Sequence, residues 1–126
     1  GGQYTPGSPS DNGRNSHNFG VINVLSGTQA DLRARLVKSG TDEPVVIDRF
    51  YFTFYKLHQP REASQVRVYV RSYDMYYLSA GTRVEHADAE GGGVFSSARA
   101  GAGGLPEGPL RLTEAQADEA VTFVFE

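Results

Sequence analysis

Phe50-Tyr51-Phe52-Thr53-Phe54-Tyr55 carries an aromatic ring at every position but one. Aromatic and β-branched side chains suit the pleated, half-buried surface of a strand. At a period of two, Phe50, Phe52 and Phe54 share one face, and Tyr51, Thr53 and Tyr55 the other. The wider segment 45–58 is therefore the strongest strand signal in the chain. Rings on both faces predict a central strand, covered at least in part on both sides, with Phe52 and Phe54 in the core. Gln59-Pro60-Arg61-Glu62 ends it, because proline cannot donate to a sheet ladder.

Working outward, the same alternation recurs at short intervals. Phe19 to Leu25 reads as a strand, followed by the turn residues Ser26-Gly27-Thr28. Residues 30–38 set Leu32, Ala34 and Leu36 against Arg33 and Arg35, the pattern of a half-buried strand. Ser39-Gly40-Thr41-Asp42 is the next turn. Downstream, 65–71 points Val66, Val68 and Val70 inward and Arg67, Tyr69 and Arg71 outward. Met75-Tyr76-Tyr77-Leu78 is a short apolar strand. Thr82-Arg83-Val84-Glu85-His86 is polar enough for a sheet edge. Val94–Ala98 is a further strand within the glycine-rich 91–104. Thr113-Glu114-Ala115-Gln116 matches a capping box and predicts one helical turn to about Glu119. Val121–Phe125 is the last strand. Eight or so short strands without βαβ alternation predict an all-β fold, an antiparallel β-sandwich of jelly-roll or immunoglobulin type, with one short helical turn near the C-terminus.

The 126 residues suit one domain that needs no metal or disulfide staple. Residues 1–18 are dominated by Gly, Pro, Ser and Asn and predict a flexible or surface-lying arm, which leaves 19–126 as a single β-sandwich domain. The net charge of −3 and the lack of a Lys/Arg block argue against a nucleic-acid partner. The absence of cysteine removes disulfides, thiolate metal sites and cysteine nucleophiles. No apolar stretch approaches the roughly 20 residues of a membrane-spanning helix. A start at Gly1 without an initiator Met, and a stop directly after the last strand, are what a processed protein or part of a longer chain would show.

Several stretches together resemble a known family. They are Asn18-Phe19-Gly20-Val21-Ile22-Asn23-Val24, Ser39-Gly40-Thr41-Asp42-Glu43-Pro44-Val45, Phe50–Phe54, Ser72-Tyr73-Asp74-Met75-Tyr76-Tyr77-Leu78-Ser79, and Leu112–Gln116 leading into Val121-Thr122-Phe123. The series resembles poorly characterised β-rich domains of marine algae and related protists, such as diatoms and dinoflagellates, over roughly residues 18–126. The resemblance implies no enzyme activity. That family continues from the aromatic strand into an acidic Phe-Asp-Leu-Asp, where this chain has Tyr55-Lys56-Leu57-His58. An ammonium at Lys56 repels Ca²⁺ where a carboxylate would hold it.

Motifs for chemistry are sparse. His17, His58 and His86 show no metal-ligand spacing, so no metal site is expected. There is no G-x-S-x-G elbow and no local Ser/His/Asp set. Gly101-Ala102-Gly103-Gly104 lacks the Lys-Ser/Thr of a phosphate loop. Asp31, Asp42, Glu43 and Asp48 lie near strand ends and fit a solvated rim better than a calcium loop. The positive feature is a basic-aromatic stripe, Arg67, Tyr69, Arg71 and Tyr73, of the kind that stacks on sugars or single-stranded bases or meets a protein partner. The expectation is a non-catalytic structural or protein-interaction module without cofactor. Its narrower form is a soluble subunit docked on a larger organellar, photosynthetic membrane complex. The alternative is an extracellular carbohydrate-binding module, with Tyr69 and Tyr73 as candidate platforms. A processed chloroplast or secreted location fits these readings better than the cytoplasm.

Overall fold

The computed structural model describes residues 4–59, 64–101 and 104–126. By its contacts the chain divides into two compact units, Gly1–Val46 and Ile47–Glu126.

In the first unit, a 3₁₀ turn at Pro9–Asp11 leads into an antiparallel pair, β1 (Gly13–Arg14) and β2 (Gly20–Val21). The connection is an asparagine turn: Asn15 Oδ1 accepts the N–H groups of His17 and Phe19, and Asn18 sits at φ 65°. Asparagine takes this left-handed conformation more readily than other side chains. Tyr4 Oη donates to the Asn23 carbonyl at 2.5 Å and accepts from Asn12 at 2.8 Å. The strand expected over 19–25 thus contracts to two residues, and its partner lies in the segment read as an arm. The strand expected over 30–38 does not form. Only a single bridge, Val37 to Pro44, closes the turn at Gly40. Leu32 is 60% exposed. Alternation permits a strand, but a ladder partner makes one, and 30–35 has none among the described residues.

The second unit is an antiparallel β-sandwich with one short helix. One sheet has the order β3 (Phe50–Phe54), β8 (Val121–Phe125), β5 (Met75–Tyr77). The other has the order β4 (Arg67–Arg71), β7 (Gly92–Ser97), β6 (Val84–Ala89). The core between them holds Leu57, Val84, Phe95, Val121 and Phe123, with Phe54, Val68, Val70, Tyr73, Tyr76 and Leu78 packed around it. Phe95 and Phe123 meet edge-on across the two sheets, ring centroids 4.8 Å apart. Helix α1 (Glu114–Asp118) begins with the expected capping box: Thr113 accepts from Gln116 N–H, and the Gln116 side chain accepts from Thr113 N–H.

Two expectations for the aromatic strand are corrected. The aromatic strand β3 lies at a sheet edge, and β8 is the central strand. Tyr51 is 60% and Phe52 39% exposed, so only Phe54 of the expected pair packs against the core. Val121, Phe123 and Val124 are buried instead, because the side chains of a central strand are screened by cross-strand neighbours on both sides, here from β3 and β5. The edge position expected for the polar strand is observed in β6.

Candidate functional site

In the β4–β7 ladder Val68 pairs with Phe95 and Val70 with Gly93, so the valines face the core. Arg67, Tyr69 and Arg71 therefore share the outer face, opposite Ser96, Val94 and Gly92. The next strand continues that face with Glu85, Ala87 and Ala89. The arginines are exposed, and Tyr69 is 43% exposed. Arg71 Cζ stands 5.2 Å from the centroid of the Tyr69 ring, a cation–π contact that holds the two as one unit. The Tyr69 hydroxyl donates to the Glu90 carbonyl in the β6–β7 turn, and Arg67 Nε donates to Gln65 at 2.7 Å. No described carboxylate lies within ion-pair distance of Arg67 or Arg71.

Tyr73 does not join the stripe. Ser72 sits at φ 54°, which breaks the alternation after β4 and turns the next side chain inward. Tyr73 packs against Phe95, Phe123 and Tyr76 with centroids 5.9, 5.2 and 5.9 Å away. Burial holds its proton on above the usual tyrosine range, and neighbouring Tyr76 and Asp88 add to the effect.

The histidines fall into separate settings. His86 packs against Phe95 and Tyr76, with Nδ1 3.2 Å from the Tyr76 hydroxyl and Nε2 3.5 Å from Asp88. His58 lies 3.5 Å from the carboxylate of Glu119, and Arg83 approaches the same carboxylate to 3.8 Å. Glu119 is only 2% exposed. The Leu57 N–H donates to its backbone carbonyl at 2.8 Å, so this cluster fastens the end of α1 to the chain leaving β3. A Cβ at Gly101 would lie 2.4 Å from the His58 ring. A carboxylate beside an imidazole is the orienting half of a catalytic triad. Here Nδ1 of His58 has no hydrogen-bond partner among the described residues. Sequence reading missed Glu119, since nothing in its pattern marks a carboxylate for burial. Among the described residues no group of three or more His, Asp and Glu side chains is placed to hold a metal. The glycine-rich loop falls partly outside the described residues, at 102 and 103. No described helix is long and apolar enough to cross a membrane.

A concavity lies on the outside of the β3–β8–β5 sheet. It encloses about 350 Å³ between Tyr55, Tyr77, Thr53, Thr122, Ser79 and Leu112. The threonine hydroxyls on its floor are 2.8 Å apart.

No family model, curated protein or solved structure matches the chain.

Proposed function

We propose that this chain is a non-catalytic protein-interaction module that binds its partner through the outer face of the β4–β7–β6 sheet. The observation that carries the reading is the row of Arg67, Tyr69 and Arg71, exposed, side by side and without a carboxylate partner among the described residues. Tyrosine and arginine are the residue types over-represented in binding hot spots. The neighbours Val94, Ala87 and Ala89 are small enough for another backbone to approach. The narrower form, an organellar subunit docked on a membrane complex, draws on the algal resemblance alone. The test compares native-extract pull-downs by wild type and by an Arg67→Ala/Tyr69→Ala variant, after circular dichroism shows both folded. Selective loss of a partner by the variant is expected. Equal recovery by both removes this face from the interface.

A carbohydrate-binding role is the second reading, and one observation favours it. The 350 Å³ concavity combines two tyrosines with three hydroxyl side chains, Thr53, Thr122 and Ser79. Its size falls within the range of small-ligand sites. With Tyr73 packed in the core, this groove replaces the Tyr69–Tyr73 pair as the candidate sugar platform. A glycan array with wild type and Tyr77→Ala separates the readings: sugar binding lost in Tyr77→Ala and kept in Arg67→Ala/Tyr69→Ala would select this one.

A further inference from the structure

We infer that the free edge of β4 is a strand-addition site for an extended partner segment whose acidic side chains lie two residues either side of an apolar one. The inference rests on the reading of this face as an interface and specifies how a partner engages it.

The backbone supplies the first half of the argument. Ser97 N–H donates to the Val66 carbonyl at 2.9 Å, and Ser72 N–H donates to the Gly91 carbonyl at 3.2 Å. Across one trans peptide plane the C=O and the following N–H point opposite ways. The Arg67 N–H and the Arg71 C=O therefore point away from β7. Successive residues of a strand alternate in the side to which they turn their paired groups. The N–H and C=O groups of Arg67, Tyr69 and Arg71 thus all lie on the outer edge of the sheet, while those of Val68 and Val70 face β7. Strand β4 ends the sheet order, and no described backbone group pairs with that edge. The result is three donors and three acceptors in an uninterrupted row, the arrangement that β-augmentation uses.

The side chains supply the second half. A strand added antiparallel to this edge would place its paired residues opposite Arg67, Tyr69 and Arg71, about 5.5 Å away between Cα atoms. Their side chains would fall on the same outer face. Opposite-charge pairs across strands are favourable and like charges are not. An acid therefore suits the positions facing Arg67 and Arg71, and an apolar residue suits the one facing the Tyr69 ring. The same rule disfavours a second copy of this chain: antiparallel self-pairing centred on Tyr69 sets Arg67 of each copy against Arg71 of the other. Charged residues also guard sheet edges against aggregation. A guard alone predicts no peptide binding, and the experiment separates the two.

The probe is an end-blocked, fluorophore-labelled peptide, Glu-Thr-Val-Thr-Glu, titrated with the full chain and followed by anisotropy. Saturable binding is expected, with amide shifts in nuclear magnetic resonance spectra centred on Arg67–Arg71. Affinity should fall about tenfold or more in Arg67→Glu/Arg71→Glu, and that variant should instead bind Lys-Thr-Val-Thr-Lys. N-methylation of the three peptide amides that face the edge, those of the two Glu and the Val, should also cost about tenfold, because it removes ladder bonds and leaves the side chains intact. No saturable binding of the acidic peptide overturns the inference. So does an Arg67→Ala/Arg71→Ala variant that dimerises while the wild type ignores the peptide, the mark of an edge guard only. Equal binding after N-methylation overturns strand addition yet leaves the outer face standing as an interface, so the two readings fail separately.

Discussion

Gly93 shows how one missing atom shapes this core. A Cβ there would lie 2.6 Å from the Tyr73 hydroxyl and 2.9 Å from His86 Nε2, closer than real Cβ contacts permit. Glycine lets a tyrosine and a histidine converge beneath the central strand β7. Gly93→Ala should cost about 1–3 kcal/mol through overpacking, and Tyr73→Phe in the same background should recover part of that loss. Urea midpoints of the single and double variants measure both. Tyr73 also makes stability depend on alkaline pH. Its folded-state pKa is raised, first by burial and then by Tyr76 and Asp88, so the folded chain holds this proton more tightly than the unfolded one. The contribution is complete below the unfolded value of about 10 and is lost as pH rises from there through the folded value. In Tyr73→Phe the urea midpoint should decline less steeply above pH ~10 than in wild type. The Phe52 and Phe95 rings make a further contrast. Phe95 is fully buried, so Phe95→Ala should cost about 3–5 kcal/mol, whereas exposed Phe52→Ala should cost about 1 or less. Hydrophobicity alone does not separate these two phenylalanines in the sequence. Strand order does, and strand order is a property of the whole sheet.

The elements were legible where local chemistry suffices and obscure where it does not. The capping box at Thr113 announces α1 because its two hydrogen bonds are local. Thr113→Ala should cost about 1 kcal/mol, read as a shift in urea midpoint, and Thr113→Ser should keep most of the stability. Strands β4, β5, β6, β7 and β8 also fall where alternation and turn residues place them. Two residues defeat the period-two reading. Lys56 sits at φ 64° and Ser72 at φ 54°, in the left-handed region that side chains other than glycine, asparagine and aspartate seldom enter. Each breaks the alternation by one position. After Lys56, Leu57 becomes a core residue; after Ser72, Tyr73 leaves the arginine stripe for the core. Nothing in the letters Lys or Ser announces a left-handed backbone. The shared outward face of Arg67, Tyr69 and Arg71 is therefore legible from alternation, and the departure at Tyr73 begins at the single residue between it and Arg71.

At the scale of the molecule, the core lies within one stretch of chain. Leu57, Val84, Phe95, Val121 and Phe123 form the buried cluster, and every side chain packed around it comes from Phe54 to Phe125. No described residue between Tyr4 and Val46 is buried. Many hydrogen bonds of that first unit are exposed, such as Tyr4 Oη to the Asn23 carbonyl and the His17 N–H to Asn15 Oδ1. Free energy of folding follows buried apolar area far more than exposed hydrogen bonds, whose net worth is about 1 kcal/mol each at most. The fragment 47–126 should accordingly fold by itself into the two-sheet sandwich. Its approximately 80 residues make a small but sufficient domain, comparable to independently folding domains of similar length. Cooperative urea unfolding is expected, with the dispersed methyl and aromatic proton resonances of a packed core. Because β4 and its open edge lie inside the fragment, it should also bind the acidic peptide as the full chain does. A fragment that lacks cooperative unfolding would show that residues 1–46 supply stabilisation the core does not.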